Sequence, residues 1–366
     1  MTCPHKDIIY RSHTFHTRLL SLLDEHAHFC FHQVKSLDCC QIPKRTQLTV
    51  ETMENQTCRK SQAADSFLQF VMILDLIVGL PGIIIALWVF CKMKNWKPHV
   101  IFLFNLVMAD FLLLVSVPFR IDAHNQGGNW RFGSIWCRVN LYMLSVNRSA
   151  SIAFLTTVAL NRYVKVVHPH HWISKFSSVA ASRISALIWV VVIAFRIPLL
   201  TTNVLHESAR VNVCRSFDNY NVMPKPLYVH YVLYIFEFIL PWLVLLFCSI
   251  RITCYLRRRK IGNQEIVRKA IRAVMVITTV FTLCFMPGVV TGLGSIFIKM
   301  YSYDNCKYIS WNQAFMIGIG FTYLHSALDP VIYFFSSSTF TQTFKNSVNL
   351  RKKRKEQRPV LDKLQK

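Results

Sequence analysis

The chain has 366 residues, of which 53% are hydrophobic and only 16% are charged. With a mean hydropathy of +0.33, it is too apolar for a water-soluble domain of this length, which indicates helices that face lipid. The net charge of +24 would suggest nucleic-acid binding if the basic residues shared one soluble surface, but they stand between the apolar runs. We therefore expect them to contact anionic membrane lipids, and we expect no nucleic-acid partner.

Seven apolar stretches follow one another, each near or above the ~20 residues that a helix needs to cross the hydrocarbon core. No segment of domain size separates them, so the sequence predicts an all-α bundle of seven transmembrane helices over 66–336. Residues 1–65 form an N-terminal tail and 349–366 a basic C-terminal tail in this interpretation. The stretches are 67–91, 99–121, 135–160, 184–205, 228–256, 270–299 and 309–335.

Basic residues predict the orientation of the bundle. Most lie in the loops after the first, third and fifth stretches, as in the run at 257–260, whereas the other loops hold fewer, among them Arg138 and Arg196. Because basic loops stay on the cytoplasmic side, we expect the N-terminus outside and the C-terminus inside. The sequon at Asn55 is then open to glycosylation.

A short amphipathic helix is predicted after the seventh stretch, over 337–348. Phe340 and Phe344 stand four residues apart there, with Lys345 beside them. This pattern is typical of a helix that lies on the inner leaflet of a membrane.

Two carboxylates lie deep in apolar stretches, where ionisable groups are costly and therefore candidates for function. Asp110 in the second stretch and Asp329 in the seventh have only apolar neighbours in sequence. We expect them to face one another and to hold water or a cation between them. A purely structural polar cluster is the alternative. No other cofactor is expected.

Arg148 lies in the third stretch, 11 residues after Cys137, which is about 16 Å of helical rise. A guanidinium at that depth costs several kcal/mol unless it meets a counter-charge or a polar cavity. One interpretation is a hydrated cavity in which Arg148 binds both oxygens of a ligand carboxylate. The alternative is a permanent structural ion pair with Glu237 or Asp75.

Enzymes, transporters and channels are less consistent with the sequence. It contains no HExxH or GxSxG motif, no paired-carboxylate motif and no visible internal repeat. The run of His and Cys at 26–32 matches no spacing of a structural zinc site, so no metal site is expected there. A membrane receptor is the favoured class.

Motifs along the seven stretches indicate which kind of membrane receptor this is. They are Asp110 in NLVMAD, Cys137, Asn161-Arg162-Tyr163, Trp189, Pro241, Phe285 and Pro287 in CFMPG, and Asp329-Pro330-Val331-Ile332-Tyr333. Together they resemble the rhodopsin-like (class A) G-protein-coupled receptors from about residue 60 to 345. The resemblance implies a plasma-membrane receptor, not an enzyme, coupled to a heterotrimeric G protein of the Gi/o type. It assigns coupling and activation to Arg162, Asn161, Tyr163, Pro287, Phe285, Asp329, Pro330 and Tyr333.

Within this class, the segment 130–171 most resembles the oxoeicosanoid receptor branch, with the hydroxycarboxylic acid receptors close to it. This implies a carboxylate-bearing lipid mediator such as an oxo- or hydroxy-eicosatetraenoic acid. Short hydroxycarboxylic acids are the alternative. Gly292 is expected to leave room for a lipid tail packed against the third, fifth and sixth helices. The implied ligand contacts are Arg148, Arg120, Tyr323, Ser216 and Asn147, and the implied disulfides are Cys137–Cys214 and Cys58–Cys306.

Three positions depart from the class pattern. Ile83 stands where most of the class has Asn, and Asn161 replaces the Asp that usually precedes the arginine. The resemblance also implies a sodium ion near Asp110, but His325 stands where relatives often carry Asn, which weakens that expectation.

Overall fold

The computed structural model describes residues 62–94, 96–171, 177–202, 204–207, 212–214, 225–258, 264–301 and 305–349. The predictions at Asn55, Cys58, Ser216 and the run 26–32 lie outside these residues. The limits of the two tails and the glycosylation therefore stay predictions.

Seven long apolar helices and one short hairpin make up most of the described chain. Each helix is long and apolar enough to cross a membrane. Several of these helices contain 31 to 38 residues. This is more than the ~20 residues needed to cross the hydrocarbon core, so they extend beyond it. They are α1 (Gln62–Lys92), α2 (Pro98–Asn125), α3 (Gly133–Val167), α4 (Ser178–Thr201), α5 (Lys225–Arg258), α6 (Gln264–Tyr301) and α7 (Asn305–Ser336).

The seven predicted stretches all fall on these helices, but the end of the fourth is different. The stretch at 184–205 predicted a helix to Leu205, whereas α4 ends at Thr201. Leu205 instead opens β1 (Leu205–Glu207), which pairs antiparallel with β2 (Asn212–Cys214). Val204 and Leu205 are apolar again after the polar residues 201–203, so a hydrophobic window extends beyond the helix end.

A short helix at 338–349 follows α7, close to the predicted 337–348. Its start is capped, because the Ser337 hydroxyl accepts a hydrogen bond from the Phe340 amide at 3.1 Å. The Phe340 ring is buried, 5.3 Å from the Phe90 ring of α1. Lys345 on this helix is exposed. The amphipathic helix is therefore anchored to the bundle through Phe340, and Phe344 also packs against the core.

The outer surface of the bundle is strongly apolar. Ile77 and Ile84 in α1 and Leu187 and Val190 in α4 are each more than half exposed. Such a surface would be unfavourable in water and is stable in lipid. Buried phenylalanines, including Phe102, Phe154 and Phe281, fill the centre.

Candidate ligand-binding site

A cavity of about 200 Å³ opens near the disulfide between α3 and β2, at the end of the bundle called here the outer end. Helices α1, α2, α3, α5 and α7 line it, together with β2. Its apolar lining includes Leu68, Met72, Leu113, Leu141, Leu144, Phe315, Met316 and Ile319. Its polar lining includes Arg120, Asn147, Arg148, Asn312, Thr322 and Tyr323.

Arg148 contributes a guanidinium to this cavity from the middle of α3. The group lies over the Tyr234 ring of α5, 4.1 Å from the ring centroid, in cation–π geometry. Its Nε and Nη2 are buried and have no hydrogen-bond partner among the residues that the structure describes. Arg148 therefore retains donors for an acceptor that enters the cavity.

Glu237, proposed from the sequence as one structural partner of Arg148, is bonded elsewhere. Its carboxylate forms an ion pair with Arg196 of α4 and accepts a hydrogen bond from Ser149 at 2.9 Å. The second proposed partner, Asp75, is fully buried, and neither of its oxygens has a donor at hydrogen-bonding distance in the described chain. The structure thus does not contain the predicted bridge to Arg148.

Arg196 is a buried arginine next to the site that the sequence did not identify as such. It was grouped with basic residues of the outer loops, whereas its side chain is completely buried within the bundle. The reason is its partner, since an arginine in an apolar helix becomes stable once a carboxylate of another helix neutralises it. The available signal was an acidic residue, Glu237, in an equally apolar run.

Arg120, predicted to guide or share the ligand carboxylate, is engaged in the wall of the cavity. Its Nε donates to Asn140 of α3 at 2.7 Å and its Nη1 to the carbonyl of Cys214 at 2.8 Å. Its guanidinium also lies 5.5 Å from the centre of the Trp130 ring. These contacts tie α2 to α3 and to β2.

Two further predicted contacts lie in the lining. Asn147 is almost fully buried, and its amide donates to the Ala109 carbonyl at 2.9 Å, which joins α3 to α2. Tyr323 of α7 is 8% exposed and borders the cavity. Together with Arg148, these side chains form one polar surface between α3 and α7.

The expectation that Gly292 makes room for a lipid tail is wrong in this structure. A Cβ on Gly292 would lie 3.0 Å from the Phe315 ring, so the side chain of α7 occupies that space. No described residue of α6 lines the cavity. Gly288 and Gly318 allow α6 and α7 to pack closely against one another. The apolar lining comes mainly from α1, α2, α3 and α7 instead.

A buried polar cluster lies between α2 and α7. Asp110, His325 and Asp329 bring possible ligand atoms within 4.8 Å of one another. The Tyr333 hydroxyl donates to Asp110 at 2.7 Å, and His325 Nε2 lies 3.7 Å from the other Asp110 oxygen. The two aspartates that the sequence predicted to meet are therefore adjacent.

The predicted coupling residues lie on α3 and α7 away from the cavity. Arg162 donates to the carbonyl of Ser336, the last residue of α7. Asn161 has a buried amide oxygen with no donor in the described part of the chain. The Tyr163 hydroxyl lies 3.2 Å from His168 Nε2.

The predicted activation residues connect α6 and α7 with their neighbours. The Phe285 ring lies 5.1 Å from the His325 ring, two residues before Pro287 within α6. Pro330 of α7 packs directly on Gly82 of α1, where a Cβ would lie 2.7 Å from the proline ring. Both prolines thus lie inside transmembrane helices, where each removes a backbone hydrogen bond.

Two disulfides were predicted, and one is seen completely. Cys137 at the start of α3 is bonded to Cys214 at the end of β2. Cys306 in α7 is also disulfide-bonded, while its predicted partner Cys58 lies outside the described residues.

The chain matches the 7 transmembrane receptor (rhodopsin family) over residues 82–333 and belongs to this family. It is therefore a multi-pass plasma-membrane receptor that signals through G proteins, and not an enzyme.

Its relatives are receptors as well. The chain is 42% identical to hydroxycarboxylic acid receptor 2 of Rattus norvegicus over 76% of this chain and 77% of that protein. It is 38% identical to oxoeicosanoid receptor 1 of Homo sapiens, over 82% and 77% respectively. It is 34% identical to the 12-(S)-hydroxy-5,8,10,14-eicosatetraenoic acid receptor of Mus musculus, over 83% and 96%. Overall identity does not favour the oxoeicosanoid branch over the hydroxycarboxylic acid receptors.

Proposed function

We propose that the chain is a receptor for an acid whose carboxylate binds Arg148 in the outer cavity. The observation that carries this proposal is the guanidinium of Arg148, which lines the cavity with two buried nitrogens lacking partners in the described chain. The nearby carboxylate of Glu237 is already bonded to Arg196. A ligand carboxylate would supply the missing counter-charge and accept two parallel hydrogen bonds.

The rest of the ligand is an oxidised eicosanoid in this proposal. The apolar side chains of α1, α3 and α7 in the lining offer a surface for a hydrocarbon tail. Each buried CH₂ would contribute about 0.8 kcal/mol. The names of two relatives, an oxoeicosanoid receptor and a hydroxyeicosatetraenoic acid receptor, agree with this class.

A short hydroxycarboxylic acid is the second candidate, and the size of the cavity favours it. The volume of about 200 Å³ is below the ~300–1,000 Å³ of pockets that enclose drug-sized ligands. A 20-carbon acid would have to extend through the mouth of the cavity, whereas a short acid would fit inside. The 42% identity to hydroxycarboxylic acid receptor 2 also favours a short hydroxycarboxylic acid.

Coupling to a Gi/o protein is also proposed, with Arg162 as a contact once α6 moves away from α3. Exposed basic residues at the start of α6, Arg268 and Lys269, support an electrostatic contact with an acidic partner. Pertussis toxin, which blocks Gi/o, is expected to abolish agonist-driven signalling. A response that survives the toxin would assign another G-protein class.

A sodium ion near Asp110 is a further proposal. The carboxylate oxygens of Asp110 and Asp329 fit a hard cation, although His325 supplies nitrogen where oxygen would be preferred. We expect agonist affinity to fall when sodium replaces potassium in the buffer, and Asp110→Asn to remove this difference. Equal affinities in both salts would contradict the site.

The proposed ligand class is tested by guanine-nucleotide exchange on membranes that contain the receptor. The probes are 12-(S)-hydroxy-5,8,10,14-eicosatetraenoic acid, an oxo-eicosatetraenoic acid, 2-hydroxypropanoate and 3-hydroxybutanoate, each with its methyl ester. At least one acid is expected to activate exchange much more strongly than its ester. Silence towards all four acids, or equal responses to acid and ester, would overturn the proposal.

A further inference from the structure

Arg196 is a second arginine inside the bundle, and the function proposed above gives it no role. Its side chain is fully buried in α4. Its Nε and Nη2 donate to the Ser149 hydroxyl oxygen at 3.1 and 2.7 Å, and Nη2 also donates to Glu237. Since Ser149 in turn donates to Glu237, side chains of α3, α4 and α5 form one charged cluster, in which Arg196 is fully buried and the Glu237 side chain is 21% exposed.

This cluster is adjacent to the proposed carboxylate anchor. Arg148 directly precedes Ser149 in α3, and its guanidinium lies over the ring of Tyr234. Tyr234 is three residues before Glu237 in α5, a spacing that places both on one side of a helix. Tyr234 interacts electrostatically with Arg148, Arg196 and Glu237. Glu237 therefore has two guanidinium groups in its neighbourhood and is bonded to one of them.

Two guanidinium groups and the carboxylate of Glu237 share this neighbourhood. Arg148 and Arg196 repel one another, and the single carboxylate of Glu237 compensates only one of them. If Arg196 were neutral, the partly buried Glu237 would lose its guanidinium partner, and Arg148 would be the adjacent cation. An internal carboxylate competes with a dissolved one at a much higher effective concentration. A ligand acid would then be displaced.

We propose that Arg196 determines the specificity of the cavity for acids by holding Glu237 away from Arg148. Arg196 is a positioning residue, since it acts through Glu237 and is not among the residues that line the cavity. This inference rests on the proposed function, because it takes Arg148 as the anchor of the ligand carboxylate.

The experiment measures agonist-driven nucleotide exchange for Arg196→Gln, Glu237→Gln and the double variant, with surface expression determined for each. The probes are 12-(S)-hydroxy-5,8,10,14-eicosatetraenoic acid, 2-hydroxypropanoate and the methyl ester of each. The esters report whether a variant can still be activated by a neutral ligand, which a general loss of folding would prevent.

Arg196→Gln is expected to raise the half-maximal concentration of the active acid about tenfold or more, because Glu237 now competes for Arg148. Glu237→Gln should respond to the acid at least as well as the wild type, since the competitor is removed. The double variant should recover to within about threefold of the wild type, although two buried charges are lost. The ester responses should stay unchanged in all three variants.

A double variant as weak as Arg196→Gln would show that disturbed packing causes the loss, and would overturn the inference. An Arg196→Gln receptor with unchanged acid sensitivity would do the same. If Arg196→Gln fails to reach the surface, the double variant decides alone, because loss of its acid response with Glu237→Gln intact contradicts the proposal. Failure of the proposed function is seen separately, as an undiminished acid response of Arg148→Gln.

Discussion

Arg162 links α3 to the end of α7. Its guanidinium donates to the carbonyl of Ser336, where the backbone of α7 leaves carbonyls without intrahelical partners. A cation is favoured at such a helix end by the dipole of the helix. Because Asn161 replaces the usual local carboxylate, this carbonyl is the contact that holds the arginine in the described structure.

Replacing Arg162 by Ala is expected to reduce agonist-driven nucleotide exchange about tenfold or more, since a charged contact to the G protein is lost. Arg183→Ala is the matched control, because Arg183 is an exposed arginine near the start of α4. Full exchange by Arg162→Ala at equal surface expression would show that Arg162 does not contact the partner.

The sequence located individual residues correctly where depth along one helix was sufficient. Counting residues placed Arg148 at the level of a cavity, and apolar neighbours identified Asp110 and Asp329. The sequence did not predict the partners of a charged residue where these depend on which helices are neighbours. Glu237 could pair with either arginine, and only the packing of α4 against α3 and α5 selects Arg196.

Helices α6 and α7 are joined by glycines. A Cβ on Gly318 would lie 2.7 Å from the Cα of Gly288, and Gly292 lies against the Phe315 ring. In a bilayer, close packing of this kind replaces the hydrophobic effect as the force between helices.

Gly318→Leu is therefore expected to destabilise the bundle by about 1–3 kcal/mol or more, because the new side chain would overlap the backbone of α6. The control is Ile317→Leu, which places the same side chain at the adjacent, more exposed position. Thermal unfolding of the purified receptor in detergent measures both. A melting temperature of Gly318→Leu equal to that of the control would mean that the helices separate without cost.

The helices themselves were predictable because each needs only length and apolar composition. The hairpin of β1 and β2 was not, since three-residue strands carry no periodic signal. The room at Gly292 was misjudged for a related reason. A missing side chain shows where space can exist, but the neighbouring helix decides whether Phe315 fills it.

Disulfides connect the outer end of the molecule as a whole. The Cys137–Cys214 bond fixes β2 to α3, and Arg120 of α2 donates to the Cys214 carbonyl in the cavity wall. The hairpin is thereby held next to the ligand cavity.

Mass spectrometry of non-reduced peptides is expected to find Cys137 joined to Cys214 and Cys58 joined to Cys306. Cys91, Cys248, Cys254 and Cys284 are unpaired and should react with a thiol reagent after denaturation. A peptide that joins Cys58 to Cys39 or Cys40 would rule out the second bridge.

The role of Arg148 is tested most directly by exchange assays of Arg148→Gln with the active acid and its methyl ester. The control is Arg138→Gln, ten residues earlier in α3, whose guanidinium bonds Ser134 and the Leu200 carbonyl and does not line the cavity. Arg148→Gln should raise the half-maximal concentration of the acid about thirtyfold or more, as expected when a buried charge pair is lost. The response to the ester should be little changed, and Arg138→Gln should resemble the wild type. Equal loss for acid and ester at normal surface expression, or no loss for the acid, would contradict carboxylate recognition by Arg148.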